Sequence, residues 1–340
     1  MGFLDSYSID AYPRNKKKWW KYAVAAAGIM AMILIVIVVP VVVTNNKKRS
    51  MEDEYDANNN TKYPLSPYTH LTQIVTHNDT ALQQKERIFV TGDLHGCLDE
   101  FNALLEAVRY DPERDQMILA GDMTSKGPDS LGVIQRAKEL GLLCVRGNHD
   151  DKLIRFKTFE MVNGQDKMQP EDETMPEGDV PDPLKFKNYH EPLALNMTQD
   201  QYDYLVSCPV ILHIPFLNNT IVVHGGLDPN ILALKDQVPY LVMNMRDIDE
   251  HQEPTPKSGK GTQWGVEWNS NQKSLSSDNT VVYYGHDAGR GLNLQQYTFG
   301  LDTGCVYGRQ LTTMNILTHE ITQIDCTTDY TNSDDDDNDD

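Results

Sequence analysis

Apolar residues along this chain fall into distinct regimes. Residues 23–43, AVAAAGIMAMILIVIVVPVVV, carry no charge over 21 positions. As a helix at about 1.5 Å per residue this run is about 31 Å long, the thickness of a bilayer core. Buried helices of soluble proteins seldom run so long without a polar residue, and the apolar region of a cleaved signal peptide is shorter, about 7–15 residues. The pattern therefore predicts a retained transmembrane signal-anchor, with a cytosolic tail over 1–22. Residues 44–85 turn polar and Asn-rich and read as a stalk.

Beyond residue 86, short apolar runs recur: Ile88-Phe89-Val90, Met117-Ile118-Leu119-Ala120, Leu142-Leu143-Cys144-Val145, Ile221-Val222-Val223 and Val281-Val282-Tyr283-Tyr284. Continuous runs of this length suit strands buried on both faces. Between the first three, Leu98 to Val108 and Leu131 to Leu140 place apolar residues at helical spacing, the second ending at Gly141. Alternating strands and helices predict a layered α/β domain over 86–328. Residues 157–190 break the pattern and read as a disordered insertion or a lid. Residues 251–262 read as a polar loop. The tail 329–340, closing on DDDDNDD, reads as a solvated, unfolded end.

Charge divides where the pattern does. Thirty Lys and Arg stand against fifty Asp and Glu; eight and two of these fall in residues 1–50, giving +6 there and −26 beyond. A strongly acidic body excludes a protein that coats nucleic acid. Five basic residues precede the apolar span and three follow it, trailed by Glu52, Asp53, Glu54 and Asp56. The positive-inside rule then puts the C-terminal domain in a lumen. Four N-x-[ST] sequons, at Asn59, Asn78, Asn196 and Asn218, all lie on that side, as expected of a glycoprotein. Five cysteines leave at least one unpaired within a monomer, and none has metal-finger spacing.

The chemistry sits directly after the strands. The five runs lead into Gly92-Asp93-Leu94-His95-Gly96, Gly121-Asp122, Gly147-Asn148-His149-Asp150, His224-Gly225-Gly226 and Gly285-His286-Asp287. Groups at the carboxyl ends of sheet strands gather on one edge. One Gly-Asp turn means little, but five repetitions of strand, turn and polar residue are a specific pattern. The set Asp93, His95, Asp122, Asn148, His224 and His286 mixes carboxylate, imidazole and amide without thiolate. It suits Zn²⁺, Mn²⁺, Fe²⁺, Co²⁺ or Mg²⁺. Six side chains are too many for one open catalytic ion and suit two ions sharing a carboxylate, which points to metal-assisted hydrolysis of phosphoesters or phosphoanhydrides.

GDLHG, GDMTSKG, RGNHD and HGG, in that order, resemble the phosphoprotein-phosphatase branch of the calcineurin-like metallophosphoesterases over about residues 87–320. The resemblance implies an αββα sandwich with two divalent ions: Asp93 and His95 at the first, Asp122 bridging, and Asn148, His224 and His286 at the second. It implies His149 as general acid beside the catalytic Asp122, and phosphate binding by Lys126, Arg246 and Asn148. Ser125 and Lys126 stand where the family usually has Asp and Arg, so His149 needs another orienting group or does less. The closing stretch Leu301 to Gly308 resembles bacterial diadenosine tetraphosphatases. With the anchor and the GDMTSKGPDS motif, the chain resembles the fungal vacuolar endopolyphosphatases of the superfamily. This implies a type II membrane protein cutting inorganic polyphosphate in the vacuole lumen.

Two other readings remain open: a lumenal phosphatase of phosphoproteins or dinucleoside polyphosphates, and, last, a non-catalytic membrane adaptor. An acidic domain needs a local basic track to hold a polyanion. Lys126, Arg146, Lys152, Arg155, Arg246, Arg290 and Arg309 are candidates for it. Trp264, Trp268 and Tyr297 are candidates to line an adenine pocket.

Overall fold

The computed structural model describes residues 62–168, 173–275 and 279–331. The apolar run 23–43 lies outside them. Among the described residues no helix is long and apolar enough to cross a membrane.

In chain order the elements are β1 (Ile74–Thr76), α1 (Thr80–Gln83), β2 (Arg87–Thr91), α2 (Leu98–Ala107), β3 (Asp115–Leu119), α3 (Ser130–Glu139) and β4 (Leu143–Cys144). There follow α4 (Asn148–Asn163), α5 (His190–Asn196), α6 (Gln199–Ser207), β5 (Ile211–Ile214), β6 (Thr220–Val222), α7 (Pro239–Asn244), β7 (Asp247–Asp249), β8 (Pro254–Thr255) and β9 (Gly261–Gln263). The chain closes through α8 (Trp264–Ser274), β10 (Val282–Tyr284), β11 (Asn293–Leu294), β12 (Thr298–Gly300), β13 (Gln310–Asn315) and β14 (Glu320–Asp325).

Two sheets face each other. One has the order β1-β5-β6-β10-β12-β11, the other β14-β13-β2-β3-β4. Strand alternation divides each apolar run between two cores. Ile88, Val90, Ile118, Ala120, Leu212, Val222 and Tyr283 meet between the sheets. Phe89, Met117 and Leu119 face outward and join Phe101, Leu104, Val133, Ile134 and Ile154 under the helices. Ile221, Val282 and Tyr284 face the other way, against Trp264, Trp268 and the α7 residues Leu241 and Val242. Burial on both faces is why these strands read as unbroken apolar runs. The result is the expected αββα sandwich.

Several expectations are corrected. The predicted stalk 44–85 overlaps the folded body: β1 pairs in parallel with β5, and Ser66 and Thr69 are buried. Residues 157–190 are not a disordered insertion in their described part. Helix α4 continues to Asn163, and Met175, Leu184 and Phe186 are buried, with Phe186 against the rings of Phe156 and Phe159. Arg155 pins the segment, giving paired bonds to Glu177 (2.6 and 2.8 Å) and bonds to the carboxylate and the backbone carbonyl of Asp182 (3.0 Å each). The polar loop 251–262 holds β8 and β9, which pair with β7 as a third, small sheet. In the tail, Asp329 bridges to Tyr307, while 332–340 lie outside the described residues. Disulfides join Cys144 to Cys208 and Cys305 to Cys326, leaving Cys97 as a buried thiol.

Candidate metal centre

The sequence motifs were expected along the edge of one sheet. The structure divides them between two. β2, β3 and β4 deliver Asp93, His95, Asp122 and Asn148 from one sheet, and β6 and β10 deliver His224 and His286 from the other. Their carboxyl ends converge. His224 Nε2 lies 3.2 Å from Asp122 Oδ2 and 3.0 Å from Asn148 Oδ1. His95 Nε2 lies 3.6 Å from Asp122 Oδ2 and 3.8 Å from Asp93 Oδ2. The His286 backbone N–H donates to both Asp93 oxygens, at 3.0 and 3.1 Å. All six side chains are buried.

Tight backbone makes this convergence possible. His95, Asp122 and His286 each hold a positive φ, as do Ser125 and Lys126. Non-glycine residues enter that region at a cost and concentrate at functional sites. Two glycines give the carboxylates room: a Cβ on Gly285 would lie 2.0 Å from Asp93 Oδ1, and one on Gly147 2.0 Å from Asp122 Oδ1. Asp122 Oδ1 accepts the His149 N–H (3.0 Å) at the start of α4, where exposed amides favour an anion.

The donor set fits cations. His95 Nδ1 contacts Thr124 O (3.0 Å), His224 Nδ1 contacts Ala120 O (2.8 Å) and His286 Nε2 contacts Asn244 O (2.9 Å). Each carbonyl can only accept, so each ring carries a proton there, and its other nitrogen is the one that can meet an ion; on His224, which Asp122 and Asp93 favour in its charged form, that nitrogen gives up its proton when an ion binds. Two clusters result in which ligand atoms lie within 4.8 Å of one another: Asp122, His224 and His286, and His95, Asp122 and His149. Asp122 belongs to both. The third such grouping, Cys97, Glu100 and Cys305, is spent as a metal site because Cys305 is disulfide-bonded.

Electrostatics point the same way. Burial, and then the Asp302 charge, pushes the Asp93 carboxyl well above its usual range. Burial would raise Asp122 too, but the imidazoles of His224 and His149 hold it well below. Burial would lower His224; Asp122 and Asp93 instead push it up to about 10. Burial lowers His95 to about 4 and keeps it neutral. A buried cluster of carboxylates calls for compensating positive charge.

Asp302 was missed by the motif reading. It follows β12 and is buried beside Asp93. The signal was present, since Thr298-Phe299-Gly300-Leu301-Asp302 repeats strand then polar residue. Tyr189 and His190 were also missed: they reach His149 Nδ1, with the Tyr189 hydroxyl at 3.0 Å and His190 Nε2 at 3.3 Å.

The expected basic track is largely absent. Arg146 is buried, donating to the carbonyls of Thr69, His70 and Val206 and to Asp151. Arg155 is held as described, and Arg290 is committed to Asp247 and Asp287. Arg309 donates to Ala288 O (2.7 Å). Lys126, whose ammonium donates to Tyr307 (2.8 Å), and buried Lys152 both place positive charge where it is felt by His149. Arg246 donates to Pro256 O (3.0 Å) and His286 O (3.5 Å) and is felt by His286.

The family profile of the calcineurin-like phosphoesterases matches residues 86–303. The chain belongs to this family. It is a metal-dependent hydrolase with a centre for two divalent ions. Among calcineurin-like relatives, it is 29% identical to a zinc-dependent endopolyphosphatase of Saccharomyces cerevisiae, over 71% of this chain and 81% of that one. It is 27% identical to an asymmetrical bis(5'-nucleosyl)-tetraphosphatase of Oceanobacillus iheyensis, over 66% and 87%. A solved structure described as a candidate diadenosine tetraphosphatase superposes with a TM-score of 0.58 at 28% identity, covering 75% of this chain and 98% of that one.

Proposed function

We propose that this calcineurin-like phosphoesterase hydrolyses phosphoanhydride bonds and that its substrate is inorganic polyphosphate, cut within the chain. The observation that carries the reading is Asp122, shared by two buried clusters in which His95, His224 and His286 each anchor one ring nitrogen on a backbone carbonyl and turn the other inward. Asp93 and His95 would hold one ion and Asn148, His224 and His286 the other, with Asp122 available to both. Such a pair, when bound, lowers the pKa of water and offsets charge on phosphoryl oxygens. The chain's own side chains do the rest. The His149 N–H fixes the Asp122 carboxylate. The His149 ring stands beside the cluster to serve the departing oxygen. Lys126 and Arg246 draw phosphate from opposite sides of the centre, and the Asn148 amide helps to seat it.

Polyphosphate is favoured over a dinucleoside because, among the described residues, the three candidate aromatics do not gather into an adenine pocket at the site. Trp264 and Trp268 are in the core. Tyr297 borders a cavity of about 610 Å³ with Thr220, Val281 and Phe299. Thr220, Val281 and Tyr297 lie at or just before the starts of β6, β10 and β12, opposite the ends that carry the site. The similarity to a zinc-dependent endopolyphosphatase supports the same choice and favours zinc.

The domain is placed in the vacuole lumen, anchored by residues 23–43 with the N-terminus in the cytosol. The opposite charges of the two regions support this, as do the exposed sequons Asn78, Asn196 and Asn218. A mobility shift on glycosidase treatment of vacuolar membranes checks the placement; an unshifted, cytosolic protein contradicts it. For activity, the purified zinc-loaded protein is given long-chain polyphosphate, diadenosine tetraphosphate and a phosphopeptide. Mid-length polyphosphate fragments are expected. Persisting long chains beside turnover of either other substrate overturn the choice.

A further inference from the structure

The His149 ring is held by a device that its own motif does not contain. It is buried between two sets of rings: His95 meets it edge-on at 5.1 Å, and His190 stacks on it at 5.4 Å and 18°. Tyr189 and His190 stack on each other at 4.2 Å. They open α5, directly after the segment that Arg155 pins through Glu177 and Asp182. Both aim at one atom, His149 Nδ1, and neither is a carboxylate.

We propose that Tyr189 and His190 are positioning residues that fix the ring orientation and tautomer of His149. The hydrogen-bond accounting assigns the proton positions. His190 Nδ1 is buried with no hydrogen-bond partner among the described residues. A buried orphan N–H is rarer than an orphan acceptor, so the His190 proton belongs on Nε2, where it faces His149 Nδ1. The Tyr189 hydroxyl can donate to the same atom. With Nδ1 accepting, His149 carries its proton on Nε2. A carboxylate in their place would accept from Nδ1 and favour the doubly protonated ring. Tyr189 and His190 supply the orientation through hydrogen bonds and ring contact instead.

This rests on His149 serving the leaving oxygen, as proposed above. The test is a double-mutant cycle on the zinc-loaded full chain, using Tyr189→Phe, His190→Gln and His149→Ala with phenyl phosphate, p-nitrophenyl phosphate and tripolyphosphate. Tyr189→Phe is expected to lower kcat on phenyl phosphate about tenfold, a part of what a general acid supplies. The loss is smaller on p-nitrophenyl phosphate, whose leaving group needs less help, and KM stays within about twofold. In the His149→Ala background, the Tyr189 and His190 changes cost nothing further. Losses that multiply with His149→Ala, equal losses on both esters, reduced zinc content or no loss at all would each overturn the proposal. Tyr189→Phe keeps its ring and carries the test should His190→Gln not fold. If the protein cleaves the esters but no phosphoanhydride, the substrate reading fails while the cycle still decides the positioning.

Discussion

Asp122 is the residue on which the site turns. It meets His224, His95 and the start of α4 at once. Asp122→Asn keeps the shape and removes the charge. It is expected to lower kcat by at least about a thousandfold, the scale of losing a principal electrostatic group. Unchanged turnover in a steady-state assay would remove the two-ion assignment. Asp302 touches the cluster through Asp93, so Asp302→Asn should weaken zinc binding about 10- to 100-fold, measured by competition with a chelator. Equal affinity would make Asp302 a bystander. The contrast between these two aspartates shows what a sequence discloses. Asp122 follows an apolar strand and a glycine, and that local signal needs no knowledge of the fold. Asp302 follows β12, which carries a single large apolar residue and ends on Gly300, so its strand is faint. Tyr189 and His190 carry no local signal, because their role exists only once the preceding segment folds back onto α4.

At the scale of elements, the segment after α4 is the largest departure from the pattern reading. Its composition suggests disorder, yet its described part is ordered by a few long-range contacts. Arg155 satisfies Glu177 and Asp182 while Met175, Leu184 and Phe186 fill the space beneath. Hydrophobic periodicity cannot report such an arrangement, since these residues follow no helix or strand. The same holds for β1, a three-residue edge strand visible only through its pairing with β5. Arg155→Ala leaves Glu177 buried and uncompensated, which costs about 3–5 kcal/mol. Urea denaturation checks this, and a loss below about 1 kcal/mol would show the segment to be passive. Replacing both Cys144 and Cys208 by Ser should cost about 2–4 kcal/mol, because the bond closes a long loop across β4 and the end of α6. An unchanged urea midpoint under reducing and oxidising conditions would argue against it.

For the whole molecule, the sandwich explains why two sheets are needed. The motif spacing showed that strands end in ligand-type residues, and the structure shows that two sets of carboxyl ends are turned toward each other. Neither sheet alone supplies both clusters. The −26 charge beyond residue 50 describes the shell. At the centre, the described positive groups are few, and several arginines expected there are held inside the fold instead. On the proposed reading, attraction for a polyanion rests on bound cations together with Lys126, Lys152 and Arg246. The most direct test is to titrate metal-free protein with Zn²⁺ while following tripolyphosphate hydrolysis and bound metal together. Activity is expected to stay low through the first equivalent, rise with the second and saturate at two, with chelator abolishing it. Full activity at one equivalent, or activity that survives chelation, would contradict a shared two-ion centre.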